Sequence, residues 1–586
     1  MSSHKQWPSP GIRTMSGSRR PAFAMIAALA VLLGVAVTAL AQDGWNDISL
    51  SDSVVAFGTV STGQVNSAQI TVTNNSPDPV TITSAEFEED VFSVTVVNQA
   101  VPVPPFGIKV VQIYFETDQN VDYTDFLRIE LDGGVRSLIV EVSAQADHPG
   151  TYYDATQNKW AEDLKTTLTG IIDGHNSLGY TPARDQMYGN VDNDDTCSEC
   201  PTTGCVECVY TGRIGCFNTR AGATSNNFNC EHTWPQSFFS ENEPMRSDLY
   251  QIAPCDAAAN TARASLDFGV VVSSTWSVGG SKKGTDSTGQ EVFEPRDAYK
   301  GNVARGHFYF IIRYSGNYVG YTDPAKMEAH FRDWHVSDPV DAVEEQRNED
   351  VYALQYNRNP FIDHPEFVDR ISSFFGTAVR VLEPEIAVSP LEIDMGSIDY
   401  DTTAYHYIAV MNTGTDTLHI SSIASTNPDF DLSSPGMTLP PDTYDYVRVG
   451  YDSGAIDRLD STVVQIASDD SDEGLVEVPV MILVGSMSGV AGTEDGVRPL
   501  AGLQNYPNPF SGETTLSFHL EHQAVVGLDL YNVEGRLVST IIGDRFLPGG
   551  MHRIEYDGSD LPSGVYFCRL SAGEVTLTRR MLLLKE

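Results

Sequence analysis

Two stretches of this 586-residue chain, 48–146 and 384–485, repeat one plan of short alternating apolar runs, and what lies between them does not. In the first, Ala68-Gln-Ile-Thr-Val-Thr73 and Val80-Thr-Ile-Thr83 are separated by Asn-Asn-Ser-Pro-Asp. Side chains alternating with period two turn one face of a strand inward, and Asn, Pro and Asp supply the turns. The two stretches also share motifs: Phe57-Gly-Thr-Val60 matches Met395-Gly-Ser-Ile398, and Val72-Thr-Asn-Asn75 matches Val410-Met-Asn-Thr413. Each predicts a sandwich of two packed sheets. Between them the apolar spacing turns helical over 155–170, 302–314 and 341–355. A chain this long exceeds what one core holds. The pattern therefore predicts a multidomain protein, with an α+β domain at 150–383 flanked by all-β sandwiches.

The two ends add further segments. Arg13, Arg19 and Arg20 precede an apolar run over 22–37, and Ala39-Leu40-Ala41 has the small-x-small form of a cleavage site, which predicts a signal peptide at 1–41. No later segment is long and apolar enough to span a bilayer, so the expected mature chain leaves the cytoplasm and keeps no membrane span. Gly and Ser mark a linker at 486–502, and 503–586 reads as one more small β-sandwich. The net charge of −43 argues against passive attraction of the whole surface to nucleic acid. Its distribution is uneven, with 19 of the 36 Lys and Arg between Thr151 and Glu383 against 33 of the 79 Asp and Glu. The middle segment can carry a local phosphate-binding cleft; the sandwiches, with no cluster of reactive side chains, read as spacers or stabilisers.

Two neighbouring runs carry the chemistry: Asn229-Cys-Glu-His-Thr-Trp-Pro-Gln-Ser-Phe-Phe239 and Arg246-Ser-Asp-Leu-Tyr-Gln-Ile-Ala-Pro-Cys-Asp-Ala-Ala-Ala-Asn-Thr-Ala-Arg263. Asp256 is a good helix N-cap, and 257–266 is an alanine-rich helix former. Asn260 and Arg263, three apart, project from neighbouring points of one face. A carboxylate on Glu231 and an amide oxygen on Asn260 suit a hard cation, Arg263 suits a phosphate, and His232 is a base near neutral pH. Together they meet the needs of phosphodiester hydrolysis: an activated water and compensation for charge on oxygen.

Here the sequence resembles a known family. Cys-Glu-His-Thr-Trp-Pro-Gln-Ser, Ser-Asp-Leu, Asn-Thr-Ala-Arg and Phe268-Gly269 follow the order of bacterial endonuclease I. Phe293-Glu-Pro-Arg-Asp-Ala-Tyr-Lys-Gly-Asn-Val-Ala-Arg305, Trp334-His-Val-Ser-Asp-Pro-Val-Asp341 and Asn357-Arg-Asn-Pro-Phe-Ile-Asp-His-Pro-Glu366 continue it, so the likeness covers 152–375. The resemblance implies a ββα-metal (His-Me finger) core and a secreted endonuclease with little sequence preference. Such an enzyme cuts DNA and RNA to 5′-phosphorylated products with Mg²⁺, or Mn²⁺ or Ca²⁺. By position it makes His232 the general base and Glu231 and Asn260 the metal ligands; Arg263 is either a catalytic residue at the phosphate or a structural ion pair. One departure stands out: the family carries a histidine after Asp-Leu where this chain has Tyr250. The flanking sandwiches resemble the immunoglobulin-like sandwiches of ASPM/SPD-2/hydin proteins. Asn505-Tyr-Pro-Asn-Pro-Phe510, Tyr531-Asn-Val-Glu-Gly-Arg-Leu537 and Ser563-Gly-Val-Tyr-Phe567 resemble the C-terminal sorting domain of type IX secretion cargo. That implies handling by outer-membrane machinery and a secreted or surface-attached product.

Other residues have plainer readings beside the functional ones. Arg296, Lys300 and Arg305 line a nucleic-acid cleft or form the solvated face of an amphipathic helix. His335 and His364 brace loops through hydrogen bonds, and Trp234 and Phe238 are core. Cys197, Cys200, Cys205 and Cys208 form C-x₂-C-x₄-C-x₂-C, with Cys216, Cys230 and Cys255 following. An oxidising destination and a short central spacer favour disulfides over structural zinc, with the connectivity open. The alternative for the whole chain is a surface adhesin carrying a degenerate nuclease module.

Overall fold

The computed structural model describes residues 48–131, 136–314, 320–455, 458–484, 500–506, 510, 512–520, 524–532, 536–547, 550–572, 575–583 and 585. The expected signal peptide and most of the expected linker lie outside the described residues. Among the described residues no helix is long and apolar enough to cross a membrane. The chain divides into two units, 1–486 and 487–586.

The repeated plan becomes two sandwiches of the same topology. One pairs a sheet of Ile48–Leu50, Asn66–Asn74, Ile108–Phe115 and Phe92–Val96 with a sheet of Val54–Ser61, Arg136–Asp147, Asp122–Leu131 and Ile82–Glu86. The other does the same over 386–484, and in each the second strand pairs in parallel with the last. The shared motifs have physical reasons. Gly58 and Gly396 sit at matching register shifts with φ of 69° and 72°, a region that favours glycine. The fully buried Asn74 and Asn412 each donate from Nδ2 to loop carbonyls, Asn74 to Val103 and Asp78, Asn412 to Leu439 and Asp416. An apolar residue there would remove these bonds, which tie each strand to its neighbouring loops.

Between the sandwiches lies a helical core. Helices α1 (Ala161–Ile172), α2 (Tyr180–Gln186), α3 (Ala257–Arg263), α4 (Lys300–Arg313), α5 (Pro324–Ser337) and α6 (Ala342–Gln355) frame it. From Val303 to Ile312, α4 is buried on every side, so it forms the centre of the domain. Trp234 and Phe310 stack at 4.5 Å there, and Phe238 packs against Tyr321. The helical period expected over 155–170 begins later, at Ala161, because 154–156 closes into a 3-10 turn. Asp341 caps α6, accepting from the backbone of Val343 and Glu344.

The sandwiches do not stand apart from the nuclease domain. Arg370 is buried against the first sandwich, donating to Asn120 Oδ1 and to the Thr156 and Lys159 carbonyls, while Asn120 donates to Thr156 Oγ1 at 3.0 Å. The two sandwiches also share an apolar contact of Phe126 and Ile139 with Ala387, Ala409 and Met411, edged by Tyr444. Polar and apolar groups buried across both seams make one compact body of these three parts.

The second unit is a small β-sandwich. Leu500–Tyr506, Glu513–Leu520 and Gly550–Asp557 form one sheet; Leu537–Leu547, Ala524–Asn532, Gly564–Ala572 and Val575–Leu583 form the other. Leu516, Phe518, Leu528 and Leu570 fill its core.

Candidate active site

An antiparallel pair, β1 (Phe228–His232) and β2 (Ile252–Asp256), runs straight into α3. His232 lies opposite Ile252 at the end of β1, and Glu231 lies opposite Ala253. The connection between the strands is pinned from beneath. Asp248 is fully buried and accepts from the hydroxyls of Tyr309 and Tyr314 at 2.8 and 2.7 Å, while Gln251 Nε2 donates to the Gly306 carbonyl at 2.7 Å. The Ser-Asp-Leu run is therefore an anchor onto α4. Asp256 stands at the N-cap position, yet its carboxylate turns to Thr211 and Arg213 and makes no cap hydrogen bond. The helix ends at Arg263, three residues short of the expected 266, because Ala264 takes φ of 51°.

On this frame each expected side chain has its own set of partners. Glu231 is 2 % exposed. Its Oε1 accepts from the Tyr210 hydroxyl at 2.8 Å and pairs with Arg263 Nε at 3.3 Å. Burial pushes the Glu231 carboxyl up to about 7, against the opposing pull of Arg263 and Tyr210. Asn260 reaches back from α3 to β1, where its Nδ2 donates to Asn229 Oδ1 at 3.0 Å and to the Cys230 carbonyl at 3.2 Å. His232 is 7 % exposed, with Nε2 3.1 Å from the Arg246 carbonyl. A carbonyl only accepts, so Nε2 carries the hydrogen and Nδ1 carries the lone pair. Burial, with the nearby guanidiniums of Arg246, Arg184 and Arg263, pushes the His232 imidazole down to about 4, so it is neutral at pH 7.

Beside His232 stands Tyr180, with ring centroids 5.5 Å apart. Arg184 and Arg246 both stack on that ring, at 4.0 and 4.3 Å. Tyr180, Arg184 and Tyr210 were not singled out from the sequence, and Arg246 was only part of a quoted run. Nothing in the spacing of α2 links it to a strand more than 40 residues on; the pairing is made by the fold alone.

Three parts of the chain match known families. Residues 161–366 match the family described as Endonuclease I. The extracellular ribonuclease of Bacillus subtilis (strain 168) is 32% identical over 255 residues, 41% of this chain and 84% of the relative. The extracellular ribonuclease of Bacillus amyloliquefaciens is 32% identical over 252 residues, 40% of this chain and 81% of the relative. The chain belongs to the endonuclease I family. Its other parts match too: residues 47–139 an ASPM-SPD-2-Hydin domain, and residues 504–584 a secretion system C-terminal sorting domain. It is thus a secreted or surface-directed nuclease with immunoglobulin-like flanks.

Within this endonuclease I fold several expected site residues take other places. Arg263 does not face solvent: it is 0 % exposed, and its Nη2 donates to the Thr233 carbonyl at 2.6 Å beside the Glu231 pair. Arg305 is not in a cleft either. It is buried in a two-point ion pair with Glu344 and donates to the Asp338 carbonyl, tying α4 to α6. Arg296 pairs with Glu207 and donates to the Val209 carbonyl, and Lys300 pairs with Glu294 and Asp297. Each of these cations is spent on the fold. Tyr250, where the family has histidine, sends its hydroxyl to Asn348 in the core. His335 Nε2 meets the Pro365 carbonyl at 3.2 Å. Cys197–Cys205 and Cys200–Cys216 are disulfides, so the two C-x₂-C pairs do not share a zinc; Cys208 instead lies 3.9 Å from Cys255, both thiols buried.

Proposed function

We propose that this endonuclease I relative cuts both RNA and DNA by metal-dependent hydrolysis with little sequence preference, leaving 5′-phosphates. The observation that carries the reading is a neutral His232 whose Nε2–H is held by a carbonyl, beside a buried Glu231 and an Asn260 amide. RNA is included because the two Bacillus relatives are named extracellular ribonucleases.

The donor set fits a hard divalent cation. Glu231 offers a carboxylate, and Asn260 offers Oδ1 while its Nδ2 is committed to β1. Those two residues would hold Mg²⁺, with Mn²⁺ or Ca²⁺ as substitutes. When bound, the cation neutralises charge developing on the phosphoryl and leaving 3′-oxygens.

The chain's own groups do the rest. His232 takes a proton at Nδ1 from the water that attacks phosphorus in line, and the Arg246 carbonyl stabilises the imidazolium through Nε2–H. The bond to the 3′-oxygen breaks, so that oxygen leaves with the upstream fragment and becomes its 3′-hydroxyl by taking a proton from water, while the phosphate stays on the 5′-oxygen of the downstream fragment. Arg184 and Arg246, both stacked on Tyr180 and the second also paired with Glu241, attract the phosphate backbone without reading bases. Arg263 and Tyr210 position Glu231 from behind. Replacing the base tests this: His232→Ala should lower the cleavage rate by about 10²–10⁴-fold while the circular dichroism spectrum and DNA affinity persist. A folded variant that still cuts at the wild-type rate removes His232 from the mechanism.

A further inference from the structure

A second cluster of ligand-type side chains lies at the seam between the first sandwich and the nuclease domain. His148 follows directly on the strand Arg136–Asp147, while His364 and Glu366 flank Pro365 at the start of a 3-10 turn, Pro365–Val368. The three ligand atoms all lie within 4.8 Å of one another. His148 Nε2 stands 3.3 Å from Glu366 Oε1, and His364 Nδ1 stands 3.0 Å from the same oxygen. Tetrahedral zinc with bonds of about 2.0–2.1 Å holds its ligand atoms about 3.3 Å apart. Two of the three separations thus already match the edges of such a site.

The buried ring is what points to a ligand. His148 is 5 % exposed, and its Nε2 has no hydrogen-bond partner, since the approach to Glu366 lacks hydrogen-bond geometry. Its other nitrogen, Nδ1, lies 3.1 Å from Thr62 Oγ1. With Nδ1–H donating to that hydroxyl, Nε2 bears a lone pair aimed at a carboxylate, which repels it unless a cation stands between. His148 and His364 stack at 3.7 Å, with Tyr153 edge-on to His364 and Phe367 against both; two imidazoles on one tetrahedral zinc stand about 5 Å apart, so these rings slide apart when the ion binds. A neutral imidazole whose far nitrogen is fixed by a hydrogen bond is how proteins prepare a histidine for zinc.

We propose that His148, His364 and Glu366 bind one Zn²⁺, with water as the fourth ligand, and that this ion ties the first sandwich to the nuclease domain. It uses different elements from the Glu231 site and a different ligand chemistry: two imidazoles and a carboxylate select zinc, whereas one carboxylate and one amide select Mg²⁺. The site is independent of the hydrolytic mechanism.

Equilibrium dialysis of the chelator-stripped mature chain against Zn²⁺ alone, with millimolar Mg²⁺ present to occupy the Glu231 site, tests this. One zinc per chain is expected, with a rise in melting temperature on addition. His148→Ala and Glu366→Gln should each lose that zinc and the rise, whereas His232→Ala should keep both. Thr62→Val leaves all three ligands and should weaken zinc by about 10–100-fold, which guards against a His148 variant that merely misfolds. No zinc retained by the wild type would overturn the site. So would zinc retained equally by folded His148→Ala and Thr62→Val, or zinc lost with His232→Ala instead.

Discussion

Replacing Arg263 by methionine separates a buried positioning residue from one that touches phosphate. The guanidinium is fully buried, 3.3 Å from a Glu231 carboxylate that is 2 % exposed, with a further bond to the Thr233 carbonyl. Removing one partner of such a pair strands a charge in the core and costs about 3–5 kcal/mol. Glu231→Gln alone strands the opposite charge. The double variant strands neither, so its loss should fall well short of the sum, leaving a coupling of about 2 kcal/mol or more. Urea denaturation of the four proteins measures this directly, with cleavage assayed in parallel. Arg263→Met should lose stability and activity together, because Glu231 leaves its position. Stability within about 1 kcal/mol of wild type, with activity lost, would refute the reasoning and return Arg263 to the phosphate.

Other consequences can be measured separately. Peptide mapping of the unreduced exported protein should recover Cys197–Cys205 and Cys200–Cys216, with no zinc on those four; four free thiols there would contradict the fold of the 197–216 loop. Burial pushes Asp125 up to about 6 from 3.8, so its contribution to stability is present at pH 4 and lost as pH rises through 6, by at most about 3 kcal/mol. Asp125→Asn should therefore flatten the fall in melting temperature between pH 4 and 7; an unchanged slope would show that other groups set it.

Much of this architecture was legible because short-range physics wrote it. The matching Gly58 and Gly396, and Asn74 and Asn412, each answer one local demand, positive φ or a buried loop carbonyl, so they announce a repeated sandwich from sequence. Glu231, His232 and Asn260 could be singled out because motif order carried them, and their proposed roles rest on that order. The fate of the cations was not. Arg305 on α4 shows the same spacing whether it faces water or Glu344, and only the packing of α6 decides between them. Arg184 stands beside the site because α2 folds back onto β1, which no periodicity encodes. The docking of the first sandwich was hidden for the same reason, since Arg370 and Asn120 lie 250 residues apart.

The most direct test of the central claim is digestion of plasmid DNA and single-stranded RNA by the purified mature chain, before and after exhaustive chelation. Both substrates should be cut with 5′-phosphate ends, cleavage should stop with EDTA, and Mg²⁺ or Mn²⁺ should restore it. Undiminished cleavage after chelation, or a folded protein that cuts neither polymer with metal present, would contradict the mechanism built on Glu231, His232 and Asn260.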